Sequence, residues 1–429
     1  MERIRLAEVR GKGFQRLIPI DEAISHFFSR VALNKMKTES LPITASLGRV
    51  LAKDITCIRD VPPFDRSAVD GYAVKAEDVF GALGTNPIVL TVQGKSSTGI
   101  IPNGILEKGA TMQIATGAPM PNGADAVVMV EYTQITGSSK VEIYGTVTPG
   151  ENVSAQGEDV KKNDLILKSG IFLKPQDIGI LAALGISDID VMMKPRIGIL
   201  STGNELVNLG QEISEGTIFD SNKPMLSSMV QLSGAEPIDL GTAVDQKKAI
   251  ADKLRAGLES ADMILTSGGT SVGQHDLLPD IVNTLGPPGV LVHGVAMRPG
   301  KPVALCAVGE KPIILLPGFP VAALIAYDVF VEPIILRMLG ASIGLNESPT
   351  IKATAERRIP SSPGVRSFVR GRVLRRNGKN MFEPLRAAGS GIISSMVRAN
   401  GMLVIPENKE GVEEGEEVEI RLLRAIEEK

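Results

Sequence analysis

Residues 267–276, Ser-Gly-Gly-Thr-Ser-Val-Gly-Gln-His-Asp, have the composition of a ligand-binding loop. They follow an apolar run at 262–266 that predicts a buried parallel strand, and they precede apolar residues at helical spacing. A loop between a strand and a helix presents free backbone N–H groups, which can hold a phosphate without a cationic side chain. Asp276 adds a carboxylate, and a carboxylate beside a phosphate suggests a bridging Mg²⁺. The alternative is an ordinary turn of an α/β domain, because glycine-rich turns are common.

Acidic residues also lie in turn-rich segments at 62–74 and 156–159, and a further polar turn lies at 114–121. The simpler explanation is that aspartate favours turns for backbone reasons. Carboxylates that lie close together without basic partners usually share a divalent cation, and ligation by oxygen alone indicates Mg²⁺. The sequence leaves both explanations open.

The C-terminal part of the chain is strongly basic between about 350 and 400 and strongly acidic from 401 onwards. The simplest interpretation of the basic part is a solvated face. A surface for single-stranded nucleic acid would need aromatic residues for base stacking, and only Phe368 and Phe382 are available. A site for a phosphorylated or oxyanionic small molecule explains the basic charge without aromatic residues.

Composition excludes several classes of protein. A chain of 429 residues is too long for one core, and 43% hydrophobic with 22% charged residues is typical of globular domains. Cys57 and Cys306 are far apart, so neither a disulfide framework nor a zinc site is expected. The first residues lack the apolar core of a signal peptide, and the longest uncharged stretch, 312–327, is shorter than a membrane span. With a net charge of −3, we expect a cytoplasmic protein with no nucleic-acid or membrane partner.

Strands and helices alternate between about 194 and 339, which predicts a mostly parallel sheet with helices on both faces. Strands are predicted at 196–200, 237–240, 263–266, 290–295, 303–307 and 313–316. Ligands of such sheets bind outside the carboxyl ends of the strands. The polar segments 201–205, 267–276 and 317–320 follow three strands, so we expect them to converge.

The rest of the chain has a different character. An amphipathic helix is predicted from Ile20, with Asp21 as its cap, and another helix is predicted after a cap at Asp245. Short β-rich runs between about 57 and 164 predict a small β domain. From about 348 a second small β module is expected, with a hairpin turn at Asn377-Gly378.

A series of short motifs makes the chain resemble one family along essentially its whole length. The motifs are the segments 64–74, 116–119, 157–159, 201–205, 220–222, 267–276, 298–302 and 316–318. In this order they resemble the molybdopterin molybdotransferases, or molybdenum insertases, a family that includes the E domain of gephyrin. The resemblance implies a homodimer of elongated multidomain subunits, which combine α/β and β domains.

Four domains are implied by this resemblance. A doubly wound α/β domain that binds the pterin would comprise 17–36 and 194–345, and a β-rich inserted domain would comprise 57–163. A linking domain would comprise 37–56 and 164–193, and a small C-terminal β-barrel domain would comprise 346–429.

The implied reaction inserts molybdate into adenylylated molybdopterin with Mg²⁺ and releases AMP. By residue-by-residue similarity, the catalytic set is Asp70, Thr116, Asp159, Glu205, Asp245 and Asp276, of which Asp245 and Asp276 would also hold Mg²⁺. The substrate-binding set is Gly268, Gly269, Thr270, Ser271, Gly273, Asp220, Asn222, Pro317 and Pro320. The resemblance further implies that Asp70, Thr116 and Asp159 face the α/β domain of the partner subunit. The adenylyltransferase that makes the substrate is an expected partner.

The implied oxyanion pocket consists of Arg298, Lys301, Arg370 and Ser390, and the chain departs from the family pattern near it. The familiar Leu-Pro-Gly-Asn-Pro-Val-Ser has Phe319 in place of Asn and Ala322 in place of Ser. Arg298 stands where many members carry Lys, and Gly294 follows His293 in a segment where many members carry another basic residue. These departures leave open whether molybdate or tungstate is the substrate.

Two other functions compete with this one. A non-catalytic molybdopterin-binding or scaffolding relative would be favoured by loss of the acidic residues, which are all present. A nucleotide- or RNA-binding protein would use the basic C-terminal module, but the sequence lacks a P-loop lysine motif.

Overall fold

The computed structural model describes residues 17–269, 277–341, 344, 348–385 and 389–428. Within this part of the chain, no helix is long and apolar enough to cross a membrane. The elements group into an α/β unit, a linking segment, a β-rich segment and a C-terminal barrel.

The α/β unit is built on a six-stranded sheet. In spatial order its strands are Glu236–Ala243, Arg196–Thr202, Met263–Ser267, Lys311–Leu316, Ala304–Val308 and Pro288–His293. The first four are parallel, and the last two are antiparallel to their neighbours. All six predicted strands are therefore present. Their near-continuous apolar sequences follow from burial of the sheet on both faces.

Helices cover both faces of this sheet, as predicted for a doubly wound domain. They are Ile20–Arg30, Asn222–Leu232, Lys247–Ser260, Leu278–Leu285, Pro320–Ala326 and Glu332–Leu339, the last two joined by a π-helical turn, Tyr327–Val331. One core packs Ile199 and Leu265 with Leu226, and the opposite core packs Ile264 with Leu254.

Two predicted helix caps are wrong. The first helix starts at Ile20 after Pro19, and Asp21 lies inside its first turn, where it pairs with Arg366 at 2.8 Å. The other helix begins at Lys247 after Gln246, without a side-chain cap. Asp21 is held by its ion pair with Arg366, and the backbone N–H of Asp245 donates to Asn204, so neither residue follows the local capping preference.

In the chain, the linking and β-rich segments lie between the first helix of the α/β unit and its first strand. The linking segment contains the antiparallel pairs Thr38–Pro42 with Asp188–Met192 and Ile55–Thr56 with Leu165–Leu167, and the helix Pro175–Ala183. The β-rich segment has a six-stranded sheet, in the order Ala126–Met129, Gly71–Val74, Ala110–Ile114, Ile88–Ser96, Lys140–Ile143 and Thr133–Thr136. A short pair, Arg66–Ser67 with Val153–Ser154, lies outside this sheet.

The C-terminal module is a closed barrel. Its five strands, each bonded to the next and the last to the first, are Arg366–Arg376, Lys379–Pro384, Thr350–Ala355, Glu417–Leu422 and Gly401–Ile405. The hairpin turn is confirmed, since Asn377 and Gly378 have φ values of 50° and 75°. Strand Met297–Arg298 of the α/β unit pairs with the start of strand Arg366–Arg376, which docks the barrel onto that unit.

Candidate functional site

The three loops that were expected to converge at the strand ends do so. Ser201, Ser267 and Leu316 lie side by side in the sheet. The N–H of Gly268 donates to the carbonyl of Leu316 at 3.3 Å. A Cβ at Gly268 would lie 2.4 Å from the carbonyl oxygen of Thr202, and its φ is +98°, so only glycine fits there.

Asn222 ties two of these loops together. Its amide Nδ2 donates to Ser267 Oγ at 2.6 Å and to the carbonyl of Gly318 at 2.8 Å. Its Oδ1 is buried and accepts no hydrogen bond from the described residues. Asp220 is only 4% exposed, and its Oδ2 likewise lacks a donor in this part of the chain. Buried oxygens without donors are costly, and they are typical of a site that a ligand completes.

Glu205 and Asp245 lie at the ends of neighbouring strands. Both are exposed, and the N–H of Asp245 donates to Asn204 Oδ1 at 3.0 Å. The Glu205 carboxylate lies close to Gly203. A Cβ added at Gly203 would be 2.6 Å from Glu205 Oε2. Among the residues that the structure describes, no group of three or more acidic, histidine or cysteine side chains is arranged so that it could hold a metal ion. Thr270, Ser271, Gly273 and Asp276 lie outside the described residues.

Asp70, Thr116 and Asp159 lie in the β-rich segment. Asp70 Oδ1 accepts the N–H of Thr116 at 2.8 Å, and Asp159 is exposed. Nearby, Asp60 accepts the N–H of Lys162 and the amide of Gln156, and these bonds lower its pKa. Some carboxylates of these loops therefore accept backbone N–H groups, which agrees with the explanation that aspartate favours turns for backbone reasons. Within the described part of the chain, none of the three residues is hydrogen-bonded to the α/β unit.

A cleft of about 890 Å³ lies between the α/β unit and the barrel, and it brings the predicted oxyanion residues together. Arg298, Lys301, Arg370 and Ser390 all line it. Arg370 is 8% exposed, and burial lowers its pKa, although a guanidinium remains protonated near neutral pH. We call this cavity the basic cleft.

Sequence reasoning missed further polar residues of the basic cleft. Arg357, Arg358 and Ser362 also line it. The adjacent arginines at 357 and 358 are visible in the sequence, but a count of local charge does not separate them from the rest of the basic region. Phe319 and Ala322, the two departures from the family pattern, lie in its wall, and Phe319 is 62% exposed.

One short segment separates the basic cleft from the glycine loop. Pro317 and Phe319 line the cleft. Gly318, between them, packs against Gly268 of the glycine loop: a Cβ added at position 318 would lie 3.4 Å from the Cα of Gly268. Pro320 begins the following helix, and the N–H of Val321 donates to the carbonyl of Ser390 at 3.1 Å. The predicted substrate loop and the predicted oxyanion pocket are therefore neighbours.

Most basic residues of the barrel lie outside the basic cleft or pair with carboxylates. Arg372, Arg375 and Arg376 pair with Glu427, Glu428 and Glu356. The acidic end of the chain thus offsets the basic strand, which argues against a nucleic-acid surface there. The basic cleft, and not the module as a whole, presents cations to a ligand.

Comparison with known proteins agrees with this geometry. Models of the MoeA N-terminal region (domain I and II), the "Probable molybdopterin binding domain" and the MoeA C-terminal region (domain IV) match residues 18–185, 198–337 and 352–423. The molybdopterin molybdenumtransferase of Bacillus subtilis is 34% identical over 416 residues, which cover 95% of this chain and 94% of that protein. Molybdopterin molybdenumtransferase 2 of Mycobacterium tuberculosis is 35% identical over 386 residues, with 89% and 94% covered.

A solved structure extends the likeness to the fold. The crystal structure of the molybdopterin biosynthesis moeA protein from Pyrococcus horikoshii superposes with a TM-score of 0.80 at 34% identity, covering 95% of this chain and 100% of that one. The matches span the α/β unit, the β-rich and linking segments, and the barrel. The chain therefore belongs to the molybdopterin molybdenumtransferase family.

Proposed function

We propose that this transferase of molybdenum cofactor biosynthesis inserts molybdate into adenylylated molybdopterin and releases AMP in a Mg²⁺-dependent reaction. The observation that carries the proposal is the basic cleft. It collects Arg298, Lys301, Arg370 and Ser390 around one cavity, and it adjoins the glycine loop through Pro317 and Gly318.

The basic cleft suits a tetrahedral dianion. Guanidinium and ammonium groups form charge-assisted hydrogen bonds to oxyanions, which are roughly twice as strong as neutral ones. Arg298 and Lys301 come from the α/β unit, and Arg370 and Ser390 come from the C-terminal part of the chain. Closure between the two parts would surround the oxyanion beside the pterin.

The organic substrate would bind at the strand ends next to the cleft. Backbone N–H groups of the glycine loop, including Gly268 and Gly269, would hold the pterin-side phosphate. Asn222 and Asp220 would support this loop, with Thr270, Ser271 and Gly273 completing it. Pro317 and Pro320 would form the wall that the substrate shares with the oxyanion.

The donor chemistry fits Mg²⁺. Magnesium prefers oxygen ligands and usually takes only one or two carboxylates, together with water and substrate phosphates. Asp245 and Asp276 would hold it, and Glu205 follows the strand next to the one that Asp245 follows. Bound there, Mg²⁺ would neutralise the pyrophosphate and polarise the scissile bond.

The remaining members of the catalytic set point to a dimer. Asp70, Thr116 and Asp159 make no hydrogen bonds to the α/β unit within the described part of their own chain. We place them opposite the α/β unit of a partner subunit, so that each active cleft draws on two chains. The adenylyltransferase that supplies the substrate is a further proposed partner. Two buried cysteines that lie far apart in the sequence suit the reducing cytoplasm.

The test is AMP release by the purified protein from adenylylated molybdopterin, with molybdate and Mg²⁺ varied separately. We expect release that requires both. Tight substrate binding without AMP release would instead identify a non-catalytic pterin-binding relative. Release with tungstate but not molybdate would identify a tungsten insertase.

A further inference from the structure

We propose that Arg357 is an additional oxyanion-binding residue of the basic cleft, which compensates for the donors that Phe319 and Ala322 lack. This inference deepens the proposed function and depends on the same cleft. It concerns a residue outside the predicted pocket, whose role follows from its contacts.

The Arg357 side chain is oriented by one hydrogen bond. Its Nη2 donates to the backbone carbonyl of Pro384, and the side chain is half-buried in the wall of the cleft. The next residue, Leu385, donates its N–H to the carbonyl of Arg370 at 3.0 Å. The guanidinium of Arg357 is thus anchored to the same backbone segment as Arg370. A guanidinium carries several N–H donors, so most of them remain for a ligand.

Charge pairing distinguishes Arg357 from its neighbours. Arg358 lies 3.2 Å from Glu413, and Arg376 lies 2.6 Å from Glu356. Arg357 pairs with no carboxylate among the described residues. A half-buried guanidinium that no carboxylate neutralises keeps its positive charge available to an anion that enters the cleft. In this module the chain neutralises several arginines with its own glutamates, so Arg357 is suited to an external anion.

The composition of the rest of the cleft wall explains why another cation is useful. Phe319 and Ala322 offer neither an amide nor a hydroxyl to a ligand in the cleft. A charge-assisted bond from Arg357 would replace neutral hydrogen bonds that these side chains cannot form. It would also act equally on any tetrahedral dianion, because it recognises charge rather than size.

The experiment measures binding of sodium molybdate to the full-length protein by calorimetry. In Arg357→Gln, the amide can still donate to the Pro384 carbonyl, while the positive charge is lost. We expect molybdate affinity to fall about tenfold or more, as for the loss of one charge-assisted bond. The matched control is Arg376→Gln, whose guanidinium is already neutralised by Glu356, and its affinity should change less than twofold.

Further variants separate charge from structure. Arg357→Lys keeps the charge and should bind molybdate within a few-fold of wild type, with an unchanged melting temperature. Unchanged affinity in Arg357→Gln, equal losses in Arg357→Gln and Arg376→Gln, or a correctly folded Arg357→Lys as weak as Arg357→Gln would each overturn the inference. If Arg370→Ala loses affinity while Arg357→Gln does not, only this inference fails. If wild type does not bind molybdate, the proposed function fails with it.

Discussion

The basic cleft and the acidic residues of the proposed active site differ in how one subunit assembles them. Arg298, Lys301, Arg370 and Ser390 come from distant parts of the sequence, yet they line one cavity of a single chain. The acidic residues are divided between the α/β unit and the β-rich segment. Under the proposed function, oxyanion binding would be complete within one chain, whereas cleavage of the substrate would need residues from two chains.

The largest effect on AMP release is expected when the acidic residues of the proposed active site are substituted. Asp245→Asn and Asp276→Asn keep side-chain shape but remove a negative charge, so Mg²⁺ should be held less well. AMP release should fall by about 10²-fold or more, as for removal of a main electrostatic stabiliser. The measurement is the rate of AMP release as a function of Mg²⁺ concentration.

The control for this pair is Asp252→Asn, since Asp252 pairs with Lys248 on the exposed face of a helix and should leave the rate unchanged. Full activity of Asp276→Asn at low Mg²⁺ would show that Asp276 is not a metal ligand.

The division between two chains can be tested by mixing subunits. Asp70→Asn and Asp276→Asn should each be nearly inactive alone. If each active cleft uses the β-rich segment of one subunit and the α/β unit of the other, mixed dimers contain one intact cleft, so part of the activity should return. The measurement is AMP release after subunit exchange, verified by differently tagged subunits. Exchange without recovery would place both residues in the same subunit's cleft.

A smaller effect on AMP release is expected when a cation of the basic cleft is removed. Arg370→Ala should raise the oxyanion concentration needed for half-maximal AMP release by about tenfold, because a hydrogen bond from a charged donor is lost. The shift should be equal for molybdate and tungstate, since both are dianions of similar size. Parallel titrations with the two oxyanions provide the measurement. A strong preference of wild type for one of them would show that something other than charge selects the metal.

The smallest effect concerns the interface between the helix behind the cleft and the barrel. Asp328, in the π-helical turn, pairs with Arg421 of the barrel at 2.5 Å, and Glu332 lies one turn further on. Burial, and secondarily the charge of Asp328, raises the pKa of Glu332 above its ordinary value of 4.5. A raised carboxyl pKa favours the folded state at low pH, and this contribution is lost as pH rises through the folded-state value.

Glu332→Gln removes this dependence. We expect the variant to melt on the order of 1–2 °C above wild type at pH 8, with the difference vanishing as pH falls towards 4.5. The control is Glu259→Gln, at an exposed position of helix Lys247–Ser260, which should show no such trend. A lower melting temperature for Glu332→Gln at pH 8 would mean that the attraction of Arg421 outweighs burial.

Local chemistry predicted the elements well. The six strands of the α/β unit follow from apolar runs bounded by turn residues, and the Asn377-Gly378 hairpin follows from its preference for positive φ. The cap predicted at Asp21 is wrong: its carboxylate lies in the first turn and pairs with Arg366, which is far away in the sequence. Such a contact cannot be seen in a local pattern.

The site was predictable to a different degree. Motif similarity identified four residues that the fold gathers around one cleft. Arg357 was missed because counting charges does not distinguish a paired arginine from an unpaired one. The pairs Arg372–Glu427 and Arg375–Glu428 arise only when the last strand, Glu427–Glu428, docks beside the basic strand.

Oxyanion binding in the basic cleft can be tested directly by anomalous diffraction from crystals of the protein soaked in tungstate, whose metal scatters strongly. We expect a tungsten peak in the basic cleft, within hydrogen-bond distance of Arg370 and Ser390, and loss of that peak in Arg370→Ala. A peak only beside Arg372, Arg375 or Arg376, or none in the cleft of well-diffracting soaked crystals, would contradict it.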